Sequence, residues 1–292
     1  MVIDAHTHAW GPEVEDHPWT TEPIVAAVEE LPIETEYTAE VLLEDMDAVG
    51  IDEAFVIGLP VTHWLDNWYV KEVAREYDRL YGIGLLDPFA DDAADALRDL
   101  LAVDDVVGFR LATVYPRDEM YEVDPGDTVQ TDWLRDAVGE TDFWEACAET
   151  DAAVTLLAHY QQSDQIQDLV DAYPDLTYVV DHFGRAEASV PRDDPDLQRL
   201  VGLCENENVL LKASAIPAIS NEPFPHLDVE ERIRWLLDEC GREQVAWGSD
   251  YQFISPVTDY ESTLTCLDHM DSLSDGDVEW LTERSFKRHL DV

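Results

Sequence analysis

Met1-Val-Ile-Asp-Ala-His-Thr-His8 opens the chain as an apolar run that ends in two histidines one residue apart. Side chains two apart in a strand share a face, so His6 and His8 can close on one metal ion. The same stretch decides between two α/β architectures. A doubly wound open sheet follows its first strand with a glycine-rich turn that cradles a phosphate, and here that turn carries histidines instead. The alternative is a closed barrel of parallel strands.

Outward from this stretch, short runs rich in β-branched residues alternate with longer amphipathic ones, the pattern of repeated βα units. Strands are predicted at 1–6, 53–59, 80–86, 106–112, 153–159, 176–182, 208–214 and 244–249. Helices are predicted at 39–49, 67–79, 91–102, 142–150, 163–173, 195–206, 228–240 and 257–270, with a last one over 275–290 behind Ser274-Asp275. Near-continuously apolar strands in this order match an (β/α)8 TIM barrel, one domain over residues 1–292, with its strands buried on both faces. Two connections, 9–38 and 113–141, leave strand C-terminal ends and are too long for plain turns, so they are expected over the pocket face. The plainer reading of both is surface insertion or contact between copies of the chain in a homo-oligomer.

Charge narrows the partners. The 292 residues carry 66 acidic side chains against 17 basic, a formal net charge of −49, and the only lysines are Lys71, Lys212 and Lys287. Such a surface repels a phosphate backbone, which excludes nucleic acid. The acids are spread through a chain that is 46% hydrophobic, so they do not form a disordered tail. A lysine-poor acidic surface suits concentrated salt, where screening is short-ranged, and a halophilic source is expected. Cys147, Cys204, Cys240 and Cys266 show neither a Cys-x-x-Cys pair nor a disulfide framework and read as small apolar groups. No apolar run approaches a membrane span, and the expectation is a cytoplasmic protein with a small-molecule substrate.

At the strand C-terminal ends lie His6 and His8 on strand one, His159 on strand five, His182 on strand six and Asp250 on strand eight. Each alone reads as a hydrogen-bonded core or edge residue. Their coincidence at equivalent ends of an eightfold repeat points to one site. With Asp4-Ala-His-Thr-His8, Gly108-Phe-Arg-Leu111, His159, Asp181-His-Phe-Gly184, Asn208-Val-Leu-Leu-Lys-Ala-Ser214 and Gly248-Ser-Asp250, the chain resembles the amidohydrolase-related family of the metal-dependent amidohydrolase superfamily. His8-Ala-Trp10 and Asp16-His-Pro-Trp19 look more like its lactonase branch than its decarboxylase branch.

The resemblance implies one divalent metal held by His6, His8, His159 and Asp250. Three imidazoles and a carboxylate suit zinc, with manganese or iron as substitutes. Such an ion brings the pKa of coordinated water to about 7, and Asp250 would carry the proton to the leaving oxygen, with His182 orienting or acting as acid/base beside it. Strand four carries Arg110 and no lysine, and since binuclear relatives bridge two metals there with a carbamylated lysine or a glutamate, the resemblance implies a single metal. Arg110 either binds a substrate carboxylate or pairs with a neighbouring acid. Lys212, inside an apolar strand, either meets a substrate anion or neutralises a buried acid. Trp10, Trp19, His17 and His63 lie where they can touch substrate, Asp4 reads as support for the histidines, and Asp181 is expected to point toward the helices. Tyr251-Gln252 and Arg185 depart from the tryptophan-proline and lysine-proline of lactonase relatives. The reaction expected is opening of a lactone or related cyclic ester of a sugar acid or aromatic breakdown product. The alternative is non-oxidative decarboxylation of the aminocarboxymuconate semialdehyde decarboxylase type.

Overall fold

A computed structural model describes residues 1–19, 36–59, 62–116 and 130–290. About half of the two long connections expected over the pocket, residues 20–35 and 117–129, therefore lies outside the described residues.

Eight parallel strands form one sheet in sequence order: β1 Ile3–Thr7, β2 Glu53–Ile57, β3 Leu80–Leu85, β4 Val106–Ala112, β5 Ala153–Leu157, β6 Thr177–Val180, β7 Val209–Ser214 and β8 Val245–Gly248. The ends meet just past β8. His8 donates its backbone N–H to the Tyr251 carbonyl at 2.7 Å, and Asp250 donates to the His6 carbonyl at 2.8 Å. The bonds that close the barrel thus run through the residues expected to carry the chemistry. Gly248 permits the approach, because a Cβ there would lie 2.8 Å from the His6 Cβ and 2.9 Å from its nitrogen.

The strands are largely apolar on both faces because both faces are covered. Ala54, Val56, Phe109, Leu111, Tyr178 and Val180 pack outward with the helices. Phe55, Ile57, Ile83, Val179, Leu210 and Ala246 point inward, and the C-terminal helix Ser285–Leu290 sends Phe286 and Leu290 into the same interior cluster. Phe286 meets Phe55 edge to face at 4.4 Å between centroids. The lower half of the barrel is therefore filled by hydrocarbon, and polar side chains collect in the upper half.

The strands and the main helices lie where periodicity places them, with differences that have local causes. β6 ends at Val180, not 182, because the chain turns left-handed at His182 (φ 52°). The predicted helix 275–290 contains a π-helical turn over Trp280–Arg284 between its α-helical ends. Two short helices, Trp133–Ala137 and Ile216–Ile219, fall in connections and are too brief to announce themselves by periodicity. No helix among the described residues is long and apolar enough to cross a membrane.

Candidate metal centre and substrate cleft

Strands β1, β4, β6, β7 and β8 deliver the centre. An irregularity in the β1–β2 ladder between Asp4 and Thr7 lets Ala5 join the interior cluster while His6 and His8 both turn into the site. His8 Nδ1 lies 2.9 Å from the Ile57 carbonyl, which can only accept, so Nδ1 carries the proton and Nε2 presents a lone pair. That lone pair faces Asp250 Oδ1 at 3.2 Å. His6 Nε2 lies 3.5 Å from the same oxygen, is buried, and has no hydrogen-bond partner. His6, His8 and Asp250 thus bring ligand atoms within 4.8 Å of one another, all buried.

Two imidazole lone pairs aimed at one carboxylate oxygen in a water-poor site repel unless a cation lies between them. The donor set fits a divalent ion of the zinc or manganese type.

Beneath this trio lies a second buried group. Asp181 accepts from Arg110 Nε at 2.9 Å and lies 3.2 Å from both Lys212 Nζ and His6 Nδ1. Burial pushes the Asp181 carboxyl up, but Lys212, His6 and Arg110 outweigh it and hold the group well below the usual carboxylate range. Burial lowers Lys212 against the opposing pull of Asp181. The expectation that Asp181 points at the helices is corrected here: Val179 and Asp181 alternate inward, and His182 reaches the same side only through its left-handed backbone. Of the two readings for Arg110 and Lys212, the ion pair with a buried acid is the one the geometry realises.

His182 is held from two sides. Its Nδ1 lies 2.9 Å from Ser214 Oγ, and Arg110 Nη2 lies 3.4 Å from its Nε2. A guanidinium can only donate, so Nε2 accepts and Nδ1 carries the proton toward Ser214. Burial pushes His182 down to about 4, so it is neutral at pH 7, with Nε2 3.9 Å from Asp250. Asp250, like His182, adopts a left-handed backbone (φ 68°). Such conformations cost non-glycine residues about 1–3 kcal/mol each and gather at working sites.

Asp4 braces the closure. Its Oδ1 accepts from the backbone N–H groups of Ser249 and His6, and its Oδ2 accepts from the Tyr260 hydroxyl at 2.9 Å. Burial raises its carboxyl to about 6.

The remaining expected residues separate. His159 follows β5 on the same rim and is half-buried, and its ring belongs to no group of three ligand atoms within 4.8 Å among the described residues. Trp10 is buried against Tyr37, 5.7 Å between centroids, and His63 packs edge to face on Trp68. His17 pairs with Asp66 and stacks on Trp68, and Trp19 donates to the Gly11 carbonyl. None of these lines the cleft beside Asp250.

That cleft, about 340 Å³, opens from Asp250 and His182. Its walls are Ala218, Ile219, Phe253, Ile254 and Val257, and its other charged residues are Arg185 and Glu187. Sequence reasoning did not assign Ile219 or Arg185 to the site. Their signals were a short proline-containing helix and an arginine after Gly184.

The barrel and this cluster define a member of a known class. The chain belongs to the amidohydrolase family, whose model matches residues 3–283. It is 32% identical over 107 residues to 4-sulfomuconolactone hydrolase of Hydrogenophaga intermedia, a match that covers 36% of this chain and only about a third (34%) of that protein. Among solved structures, an amidohydrolase from Burkholderia multivorans superposes with TM-score 0.77 at 20% identity over 100% of this chain and 99% of its own, and a second crystal form of it has bound zinc. A Pseudomonas putida protein described as a 2-pyrone-4,6-dicarboxylic acid hydrolase gives 0.76 at 18% identity over 99% and 97%. These superpositions establish the shared fold.

Proposed function

We propose that the protein is a divalent-metal-dependent hydrolase that opens a lactone or related cyclic ester. The reading is carried by one observation: the His6 and His8 lone pairs and the Asp250 carboxylate converge on one buried point at the mouth of the cleft. The lactone hydrolases among its relatives support it. His6, His8 and Asp250 would hold the ion, with His159 on the same rim as the fourth side chain assigned from sequence.

When bound, such an ion acidifies a water in contact with it and polarises an ester carbonyl. The chain supplies the rest. Ionised Asp250 accepts the proton of the attacking water and returns it to the ring oxygen as the ester bond breaks. Neutral His182, its tautomer fixed by Ser214 and Arg110, offers Nε2 as an acceptor that orients water or substrate. Lys212 and Arg110 hold Asp181, which keeps His6 Nδ1 occupied and turns its Nε2 toward Asp250.

The test is acid release from a lactone panel in a pH-stat, before and after chelation and on return of zinc or manganese. Activity is expected to fall by about 100-fold or more on chelation and to recover with metal. Carbon dioxide released from a conjugated acid, with no lactone opened, would replace this reading with the decarboxylase one.

The acidic surface carries a separate expectation. With a net charge of −49, self-repulsion in dilute buffer destabilises the folded state and screening relieves it. The melting temperature is expected to rise by about 10 °C or more between about 0.1 and about 2 M KCl. A flat or falling curve from scanning calorimetry would contradict the assignment to concentrated salt.

A further inference from the structure

In so acidic a chain most cations meet a carboxylate, as Lys71, Arg79, Arg98, Arg135, Arg199 and Arg234 do. Arg232 does not. It lies buried in the helix Glu230–Glu239, and no acidic side chain among the described residues pairs with it. Its guanidinium donates instead to three backbone carbonyls, from Nη1 to Ala186 at 3.2 Å and from Nη2 to Ala188 at 3.3 Å and Val190 at 2.6 Å. A buried guanidinium is costly to desolvate, and burial pulls this one below its ordinary value. Although the chain carries 66 acidic side chains, peptide oxygens stand where a counter-ion would.

All three carbonyls belong to the turn that follows β6, and that turn is a wall of the cleft. Arg185 and Glu187, on either side of Ala186 in sequence, both line it. The turn is also tied to the next wall, because Ala188 donates its N–H to the Ile219 carbonyl at 2.9 Å, and Ala218 and Ile219 line the cleft as well. Ala188 is thus held at both of its backbone groups, the N–H by one wall and the carbonyl by Arg232. None of these bonds reaches the reacting centre. Asp250 and His8 are fixed by the bonds that close the barrel, and His182 is fixed by Ser214 and Arg110.

Resting on the hydrolase reading, we propose that Arg232 is a positioning residue that sets the width of the substrate cleft from behind, by fixing the turn 186–190 against the short helix Ile216–Ile219. It governs how the body of a substrate is bound and leaves the reacting atoms alone. A substrate that fills the cleft depends on it, and one that reaches only the centre does not.

The test compares two lactones on zinc-loaded wild type, Arg232→Met and Arg232→Lys: dihydrocoumarin, whose fused ring reaches the walls, and γ-butyrolactone, whose small ring does not. In Arg232→Met the KM for dihydrocoumarin is expected to rise about 10-fold with kcat within about twofold of wild type, while both constants for γ-butyrolactone stay within about twofold. Arg232→Lys, which keeps the charge but not the fork, should fall between. 1-Tetralone and cyclopentanone, ring bodies of matching size with no ester, are titrated by calorimetry alongside. Wild type is expected to prefer the tetralone, and that preference should shrink by about 10-fold in Arg232→Met. An unchanged KM for dihydrocoumarin, or equal losses for both lactones, which a purely structural role would give, overturns the proposal. So does a wild type that binds the two ketones equally or binds neither. If Arg232→Met does not fold, Arg232→Lys decides by the same criteria, and failure of both to fold would assign the residue to stability alone and overturn the proposal. If no lactone is opened while the ketone preference shrinks as stated, the hydrolase reading fails and the positioning role stands.

Discussion

Asp250→Asn is expected to fold as the wild type does and to lose turnover by about 10²- to 10⁴-fold. The fold should survive because Asn matches Asp in size and is, with Asp, among the few non-glycine residues that tolerate the left-handed conformation adopted here (φ 68°). The closing bond from the Asp250 backbone N–H to the His6 carbonyl does not depend on the side chain. What disappears is the negative charge toward which His6 and His8 point, and with it the acceptor for the proton of water. Circular dichroism melts paired with steady-state rates on an opened lactone check both halves. A variant that keeps more than about a tenth of wild-type kcat would remove Asp250 from the role assigned to it.

The second large effect is on stability. Lys212→Met keeps the length and apolar stem but deletes an ammonium that is fully buried 3.2 Å from Asp181 and 5.2 Å above the Phe286 ring. Asp181 then loses one of its two cations with no water to replace it, and removing one partner of a buried pair costs about 3–5 kcal/mol. Urea denaturation should register that loss, and the double variant Lys212→Met/Asp181→Asn should recover part of it. A loss below about 1 kcal/mol would mean that Arg110 alone suffices for Asp181. The pH dependence has a definite sign. Asp181 is held well below its ordinary value in the folded protein, so its contribution is complete above about pH 4 and fades as pH falls toward the folded value.

The barrel was legible in the chain because each strand is a short β-branched run and each helix an amphipathic one, so local pattern and global architecture agree. The meeting of His6, His8, His182 and Asp250 was legible for a related reason: equivalent ends of a repeat must face one rim. What escaped depended on single dihedral angles. The alternation that sends Val179 inward also sends Asp181 inward, and only the positive φ at His182 allows neighbouring residues to serve the same site. Trp10 and His63 were placed by proximity in sequence to the rim, yet aromatic packing against Tyr37 and Trp68 claims them. Arg232 could not be singled out before the partners of the other cations were known.

The interior trio Arg110, Lys212 and Asp181 lies behind barrel walls, out of reach of dissolved ions, while the acidic exterior is bathed in them. Ionic strength therefore acts on the protein's shell and leaves its kernel nearly untouched. A salt series is therefore expected to act on the surface charges and to leave the Arg110–Asp181–Lys212 contacts as they are.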